Sequence, residues 1–226
     1  MAISKIGTLT IGQAPRPDIA PLLDAALPPQ VACIHAGLLD GLDDEAIAAR
    51  FAVQPGGAVL TSRLLDGRAV VMDKAAVGTA VQEKIHALDA QGCDIIALLC
   101  TGEFHGLTTQ RAWLMAPDLI LPATQTALVG QRRAGILVPL ASQIDSEKEK
   151  WRGLAVAPVF AVASPYTAPE EEVAAAARSL AQQGAEVILT DCMGYTAWHK
   201  DICAREAALP VLLANQLLAD LMRNLL

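Results

Sequence analysis

Two stretches of this chain carry one pattern. Leu88–Phe104 aligns without a gap on Leu180–Thr196, at a constant offset of 92 residues. In each, a helical pattern stops at a glycine (Gly92, Gly184) and an acidic residue follows (Asp94, Glu186). A short apolar run comes next and ends in Cys-x-Gly (Cys100–Gly102, Cys192–Gly194), with an aromatic residue just beyond (Phe104, Tyr195). Glycine just past a helix supplies the left-handed residue that caps it. An apolar run this short cannot make a helix and suits a strand buried in a parallel sheet. A weaker echo joins Lys5–Leu9 to Arg133–Leu137. The repeat predicts two similar lobes, each with its own parallel sheet.

The rest of the chain fits that plan. Lys5–Ile11 reads as a strand, Gly12–Pro17 as a loop and Asp18–Leu27 as a short helix. Val31–Ala36 is a strand and Asp43–Phe51 a helix. Asp66-Gly67 between Ala58–Leu64 and Arg68–Asp73 is a hairpin signal. Lys74–Gln91 is helical and Asp94–Leu99 a strand. In the second half, Ala134–Val138, Leu154–Val162, Glu186–Thr190 and Val211–Leu213 are strands. Ser142–Trp151, a helix ending at Gln183, Ala197–Ala207 and Asn215–Leu226 are helices; Thr167–Glu170 reads as a capping box for the one ending at Gln183. Alternation of this kind predicts an α/β fold of two pseudo-symmetric lobes, parallel sheets flanked by helices, with the active-site cleft between them. The expected lobes are 1–110 and 111–210, with 211–226 packing back on the first. The connection falls within 107–130, where Pro117 and Pro122 interrupt the pattern.

Composition narrows the function classes. Hydrophobic residues at 53% and charged residues at 18% exclude intrinsic disorder. A net charge of −7 repels phosphate backbones, so nucleic acid is not an expected partner. No apolar stretch is long enough to span a membrane, and the N-terminus has no signal-peptide layout; a cytoplasmic location is expected. The cysteines are Cys33, Cys93, Cys100, Cys192 and Cys203, an odd number without a CxxC pair, which argues against a disulfide framework or a zinc ribbon. GxGxxG, P-loop, GxSxG and HExxH motifs are absent, so no cofactor and no metal are expected.

The chemistry then rests on Cys100 and Cys192. Ligands of open α/β sheets bind beyond the carboxyl ends of the strands, where both cysteines fall. Backbone N–H groups at Thr101-Gly102 and Met193-Gly194 begin a turn there, a setting that favours anions and thiolates. A thiol and a thiolate across a cleft can protonate and deprotonate one carbon from opposite faces, with no cofactor. Buried cysteines are ordinarily small hydrophobes, which is the reading for Cys33, Cys93 and Cys203. The matched position of the other two within the repeat sets them apart.

Further candidates surround them. Arg16, in the loop after the first strand, could fork onto a carboxylate or could be a solvated loop residue; Gln13 could add an amide hydrogen bond. Arg63 on the hairpin would be the cation of a lid, or an exposed strand residue. Gln143 is the counterpart of Gln13 in the second lobe. Asp191 either orients Cys192 or pairs with an arginine. His105 and His199 follow the cysteine motifs and would serve a Cys–His hydrolase, a weaker reading because the repeat pairs Cys with Cys. Asp145–Lys150 reads as a solvated helix face, and the alanine-rich Val173–Ala181 as packing.

The chain resembles the AroM family through Thr10–Asp18 (TIGQAPRPD), Leu99–Phe104 (LCTGEF) and Asp191–Tyr195 (DCMGY), across essentially its whole length. That family in turn resembles the aspartate/glutamate/hydantoin racemase superfamily. The resemblance implies two pseudo-symmetric α/β lobes with a catalytic cysteine from each, and racemase, cis–trans isomerase or decarboxylase chemistry on small carboxylates. Cys100-Thr101 matches the superfamily's Cys-Asn-Thr in its cysteine and a nearby threonine; Cys192-Met193-Gly194 matches Cys-Thr-His in its cysteine alone. These departures favour a different substrate over a different fold.

The expected function is therefore a cofactor-independent racemase, isomerase or lyase acting on a small carboxylate. Cys100 and Cys192 are catalytic, and Gln13, Arg16, Arg63, Thr101, Gly102, Gln143, Met193 and Gly194 hold the substrate. The alternative is a ligand-binding or regulatory protein on the same scaffold without turnover. The expected partners are the small carboxylate and a second copy of the chain in a homodimer, not a membrane.

Overall fold

A computed structural model describes residues 3–226. The chain divides into two compact units, Met1–Asp118 with Ala219–Leu226, and Leu119–Leu218.

The first unit holds β1 (Lys5–Thr10), α1 (Ala20–Asp24), β2 (Ala32–Gly37), α2 (Asp44–Phe51), β3 (Val59–Arg63), β4 (Ala69–Asp73), α3 (Lys74–Ala90), β5 (Ile95–Leu99) and β6 (Trp113–Met115). Its sheet runs β2-β1-β5-β6, all parallel. The second unit holds most of α4 (Pro117–Val129), β7 (Ala134–Val138), a 3-10 turn at Ala141–Gln143, α5 (Ile144–Lys150), β8 (Val159–Val162), α6 (Glu170–Gln182), β9 (Val187–Thr190), α7 (Ala197–Ala207), β10 (Val211–Leu213) and the start of α8 (Ala214–Arg223). Its sheet runs β8-β7-β9-β10, again all parallel. The strand order and direction are the same in both units. So is the register of the central pair: Ile6 faces Ile95 in the first, and Ala134 faces Val187 in the second. The fold expected from the repeat, parallel sheets flanked by helices in two sheet-bearing lobes, is the fold observed.

The repeat has a physical cause at most of its positions. Gly92 and Gly184 sit at φ +80 and +85, the left-handed conformation that only glycine adopts without strain. The acidic residue ties the entry of the neighbouring strand. Asp94 accepts from the backbone N–H groups of Ser4 and Lys5, at 2.8 and 3.0 Å. Glu186 accepts from that of Arg133 at 2.9 Å. The glycines of the weaker echo let a helix approach the sheet. A Cβ on Gly7 would lie 3.0 Å from Cys93 Sγ and 3.2 Å from Leu88; one on Gly135 would lie 2.9 Å from Ala185 Cβ and 3.0 Å from Leu180 Cβ. An added methyl there overpacks the core at a cost of about 1–3 kcal/mol. Cys93 and Cys203 are buried hydrophobes in the two cores, as read from the sequence. The alanines of α6 pack in the second core.

Three local expectations are corrected. The segment containing Pro117 and Pro122 is a helix: Pro117 is its first residue, where no N–H is required, and Pro122 is accommodated inside it. The cap of α6 is Pro169, with no side-chain hydrogen bond, so Thr167–Glu170 is not a capping box. The capping box lies instead at α7, where Thr196 and His199 satisfy each other's end of the helix. Finally, α5 is not a fully solvated face, because the side chains of Lys150 and Glu147 are only 3% and 13% exposed. No helix among the described residues is long and apolar enough to cross a membrane.

Candidate functional site

Cys100 lies one residue past β5 and Cys192 two residues past β9, at equivalent strand ends. In the first unit, Gly102 N–H points at Cys100 Sγ at 3.4 Å. In the second, Gly194 N–H points at Cys192 Sγ at the same 3.4 Å. Both cysteines are 8% exposed, and none of the five cysteines is in a disulfide. The glycine caps, the acidic ties and the close-packing glycines of the repeat are all used by the fold. The Cys-x-Gly turns add a feature common to both units, a glycine N–H that meets the sulfur two residues before it.

The two turns are seated differently. A Cβ on Gly102 would lie 2.7 Å from Leu60 Cδ2 of β3, so the Cys100 turn rests on the hairpin. Beyond it, the loop up to β6 is fastened by three side chains. Asp118 accepts from Phe104 N–H at 2.9 Å, Gln82 accepts from Thr108 N–H at 2.8 Å, and Asp89 accepts from the N–H groups of Gln110, Arg111 and Ala112. The bond from Gln110, foremost, holds the Asp89 carboxyl below the ordinary carboxylate value.

In the second unit, a Cβ on Gly194 would lie 2.4 Å from the Tyr166 ring. Tyr166 Oη is 3.5 Å from Cys192 Sγ. Asn215, buried at the start of α8, donates from Nδ2 to the carbonyls of Met193 and Tyr195 at 3.0 and 2.7 Å, which secures the turn from below.

The residue before Cys192 anchors it. Lys150 Nζ donates to both oxygens of Asp191, at 2.5 and 2.7 Å, and lies 3.2 Å from Glu147 Oε2. Trp151 Nε1 donates to Asp191 at 2.8 Å. Asp191 therefore pairs with a lysine rather than an arginine. Burial pushes the Asp191 carboxyl up, but the Lys150 ammonium and the hydrogen bonds from Glu147, Lys150 and Trp151 outweigh it and hold it below its ordinary value. Burial, followed by the Asp191 charge, pushes Glu147 up to about 9. The cluster at neutral pH is one ammonium, one carboxylate and one carboxylic acid.

That cluster makes a prediction about pH. Glu147 keeps its proton in the fold while the unfolded chain loses it near the ordinary value of 4.5, so its contribution is complete below that pH and is lost as pH rises toward about 9. Glu147→Gln, which cannot ionise, should raise stability at pH 7 by about 3 kcal/mol and flatten the profile between those limits. Urea unfolding at pH 5, 7 and 9 measures it; an unchanged slope with pH would contradict the protonated Glu147.

The remaining candidates fall into place around β1, the hairpin and the turn after β7. Arg16 is buried at 3% exposure, not solvated. It forks onto Asp18, Nε to Oδ1 at 2.8 Å and Nη2 to Oδ2 at 2.5 Å, and its Nη1 is 3.4 Å from both Thr10 Oγ1 and Ser62 Oγ. Gln13 accepts from Leu65 N–H at 2.8 Å and donates to the Leu39 carbonyl at 3.3 Å. Arg63 Nε donates to the Gly67 carbonyl at 3.2 Å, folding the side chain onto its own hairpin turn. The structure thus brings Gln13, Arg16 and Arg63 together, with the hairpin as their common support. Gln143 closes the 3-10 turn after β7, where its carbonyl accepts from Ser146. Thr101 is half-buried and Met193 buried. His199 Nδ1 accepts from Thr196 N–H at 3.0 Å as the cap of α7, a use that does not suit a catalytic base, and His105 is exposed.

Among the described residues, one group of metal-type donors joins Asp24 at the end of α1 to Cys33 and His35 on β2, with ligand atoms within 4.8 Å of one another. Both His35 nitrogens have partners, Thr8 Oγ1 at 2.7 Å and Asp24 Oδ1 at 3.1 Å. Burial, with Asp24 next, pushes the Cys33 thiol up to about 12. The grouping fits a hydrogen-bonded chain better than a coordination site.

The family described as AroM protein matches residues 6–226. The chain belongs to the AroM family. Solved structures of other proteins share the fold of this AroM chain. Allantoin racemase from Klebsiella pneumoniae is 15% identical with a TM-score of 0.61, covering 98% of this chain and 86% of that one. A mutant of the Nocardia farcinica maleate cis-trans isomerase with a covalently bound succinylcysteine intermediate is 14% identical, TM-score 0.59, covering 99% and 93%. Arylmalonate decarboxylase is 15% identical, TM-score 0.56, covering 97% and 92%. At this identity the likeness is one of fold alone. No curated protein matches the chain by sequence.

Sequence reasoning missed Tyr166, Lys150, Trp151 and Asn215. One signal pointed at the first: the chain has only two tyrosines, and Tyr166 and Tyr195 both stand beside the Cys192 turn.

Proposed function

We propose that this protein is a cofactor-independent racemase, isomerase or lyase of a small carboxylate, in which Cys100 and Cys192 exchange protons with one carbon from opposite faces. One observation carries the reading: two sulfurs at equivalent strand ends, each met by the N–H of the glycine two residues on, at the same distance. An N–H donor stabilises a thiolate, and a thiolate is the base such chemistry needs. The neighbouring fold supports it, since it serves a racemase, a decarboxylase and an isomerase, the last with a cysteine carrying a covalent succinyl group. In this proposal Gln13, Arg16, Arg63 and Gln143 define the substrate end. The amides at Thr101-Gly102 and Met193-Gly194 stabilise enolate-like charge. A cytoplasmic location and a homodimeric assembly belong to the same proposal.

The test is isotope exchange. The protein is incubated in D₂O with a panel of small mono- and dicarboxylates bearing an acidic C–H, malonates included. Deuterium should appear at that carbon in at least one of them, with or without net conversion. A carboxylate that binds and raises the melting temperature, but shows neither exchange nor bond cleavage, would make the protein a binder on this scaffold.

A further inference from the structure

We propose that Tyr166 is a positioning residue for Cys192, its hydroxyl donating to the sulfur and holding it as a thiolate. This rests on the two-cysteine reading and gives one of the two sulfurs a side-chain partner that sequence reasoning did not supply.

The placement of Tyr166 is built, not incidental. Tyr195 is buried, and its Oη donates to the Ala163 carbonyl at 2.6 Å, pinning the chain just after β8. Ser164 Oγ then accepts from Tyr166 N–H at 3.2 Å, and the Ser164 carbonyl from Ala168 N–H at 3.1 Å, which shapes the turn that carries the ring. Gly194 completes the seat. A Cβ there would fall 2.4–2.7 Å from three atoms of the Tyr166 ring and hydroxyl. Its φ is not positive, so glycine is required for space rather than for backbone freedom. The same residue whose N–H meets Cys192 Sγ also admits Tyr166 to within 3.5 Å of that sulfur. At the equivalent place in the first unit, the atom nearest a Gly102 Cβ belongs to Leu60, which can donate nothing.

The direction of the bond follows from acidity. A thiol ionises near 8.5 and a phenol near 10, and S–H is a weak donor; the phenol therefore keeps its proton and donates. Two donors, Gly194 N–H and Tyr166 O–H, then converge on one sulfur. Four titratable groups act on the neighbouring Tyr195 hydroxyl: Cys192, Asp191, Cys203 and Tyr166. Asp191 is neutralised by Lys150, and the Tyr195 hydroxyl is held by Ala163. Burial pushes Cys203 up to about 11.

The experiment needs no substrate. Alkylation of Cys192 by iodoacetamide, or by the smaller methyl methanethiosulfonate, is followed by peptide mass spectrometry from pH 5 to 10 in the wild type and Tyr166→Phe, with Cys100 in the same samples as the reference. Phenylalanine keeps the ring in its seat and removes only the donor. Loss of one hydrogen bond to a charged group is worth about tenfold in ionisation, so the Cys192 midpoint should move up by about one pH unit. Below both midpoints the rate should fall about threefold, because the more basic thiolate is also more nucleophilic. The Cys100 profile should not move. A Cys192 midpoint that stays, or moves down, overturns the role of Tyr166. Neither outcome bears on whether both cysteines serve turnover, which the isotope exchange decides.

Discussion

Lys150→Met should cost the protein about 3–5 kcal/mol, a large share of the stability of any single domain. The Lys150 side chain is 3% exposed and that of Asp191 2%, and the ammonium meets both carboxylate oxygens. Removing one partner leaves the other charged in the interior without its counter-ion. Lys148, two residues earlier on the same helix, is the internal comparison. It pairs with Asp145 at 2.8 Å, but the side chains are 61% and 93% exposed, and Lys148→Met should change stability by less than about 0.5 kcal/mol. Urea midpoints at constant slope measure both. Adding Asp191→Asn to Lys150→Met should recover part of the loss, since a neutral amide is less costly to bury. Equal effects of Lys150→Met and Lys148→Met would mean that the cluster does not anchor the Cys192 turn.

Those two lysines also show where the sequence was legible and where it was not. The run Asp145–Lys150 carries i,i+3 pairs of opposite charge, the usual mark of a solvated helix face. Whether a lysine at its end turns inward depends on an acceptor far along the chain, here Asp191, and local spacing does not encode that. The fold was legible for the opposite reason. Gly92 and Gly184, Asp94 and Glu186, Gly7 and Gly135 act through short-range constraints of helix caps, strand entries and close packing. Each constraint is met twice, so it left a pattern in the sequence. Pro117 misled because a proline is read locally as a break, while a helix tolerates it at its first turn, and Pro122 sits inside the same helix. In the site, the two cysteines could be found because the repeat marks both. Tyr166 and Asn215 lack that mark, since each belongs to the second unit only and has no counterpart to align with.

The second large effect concerns those cysteines. Serine is nearly isosteric with cysteine but ionises several units higher, so Cys100→Ser and Cys192→Ser remove the base while keeping the turn. Each should lower isotope exchange by about 10²–10⁴-fold, the usual worth of a positioned acid or base. The melting temperature should stay close to that of the wild type, because each thiol is buried in a turn held by other groups: Leu60 and the Asp118, Gln82 and Asp89 ties on one side, Tyr166, Asn215 and the Lys150 cluster on the other. The double variant should lose little more than the worse single one, as groups acting together are not additive. Cys33→Ser, which alters a thiol pushed up to about 12 on β2, should leave exchange unchanged.

Whether both sulfurs serve one carbon is decided by comparing Cys100→Ser with Cys192→Ser in D₂O. Each variant, folded as the wild type, should lose exchange on its own. A variant of either cysteine that exchanges hydrogen at the wild-type rate would contradict it.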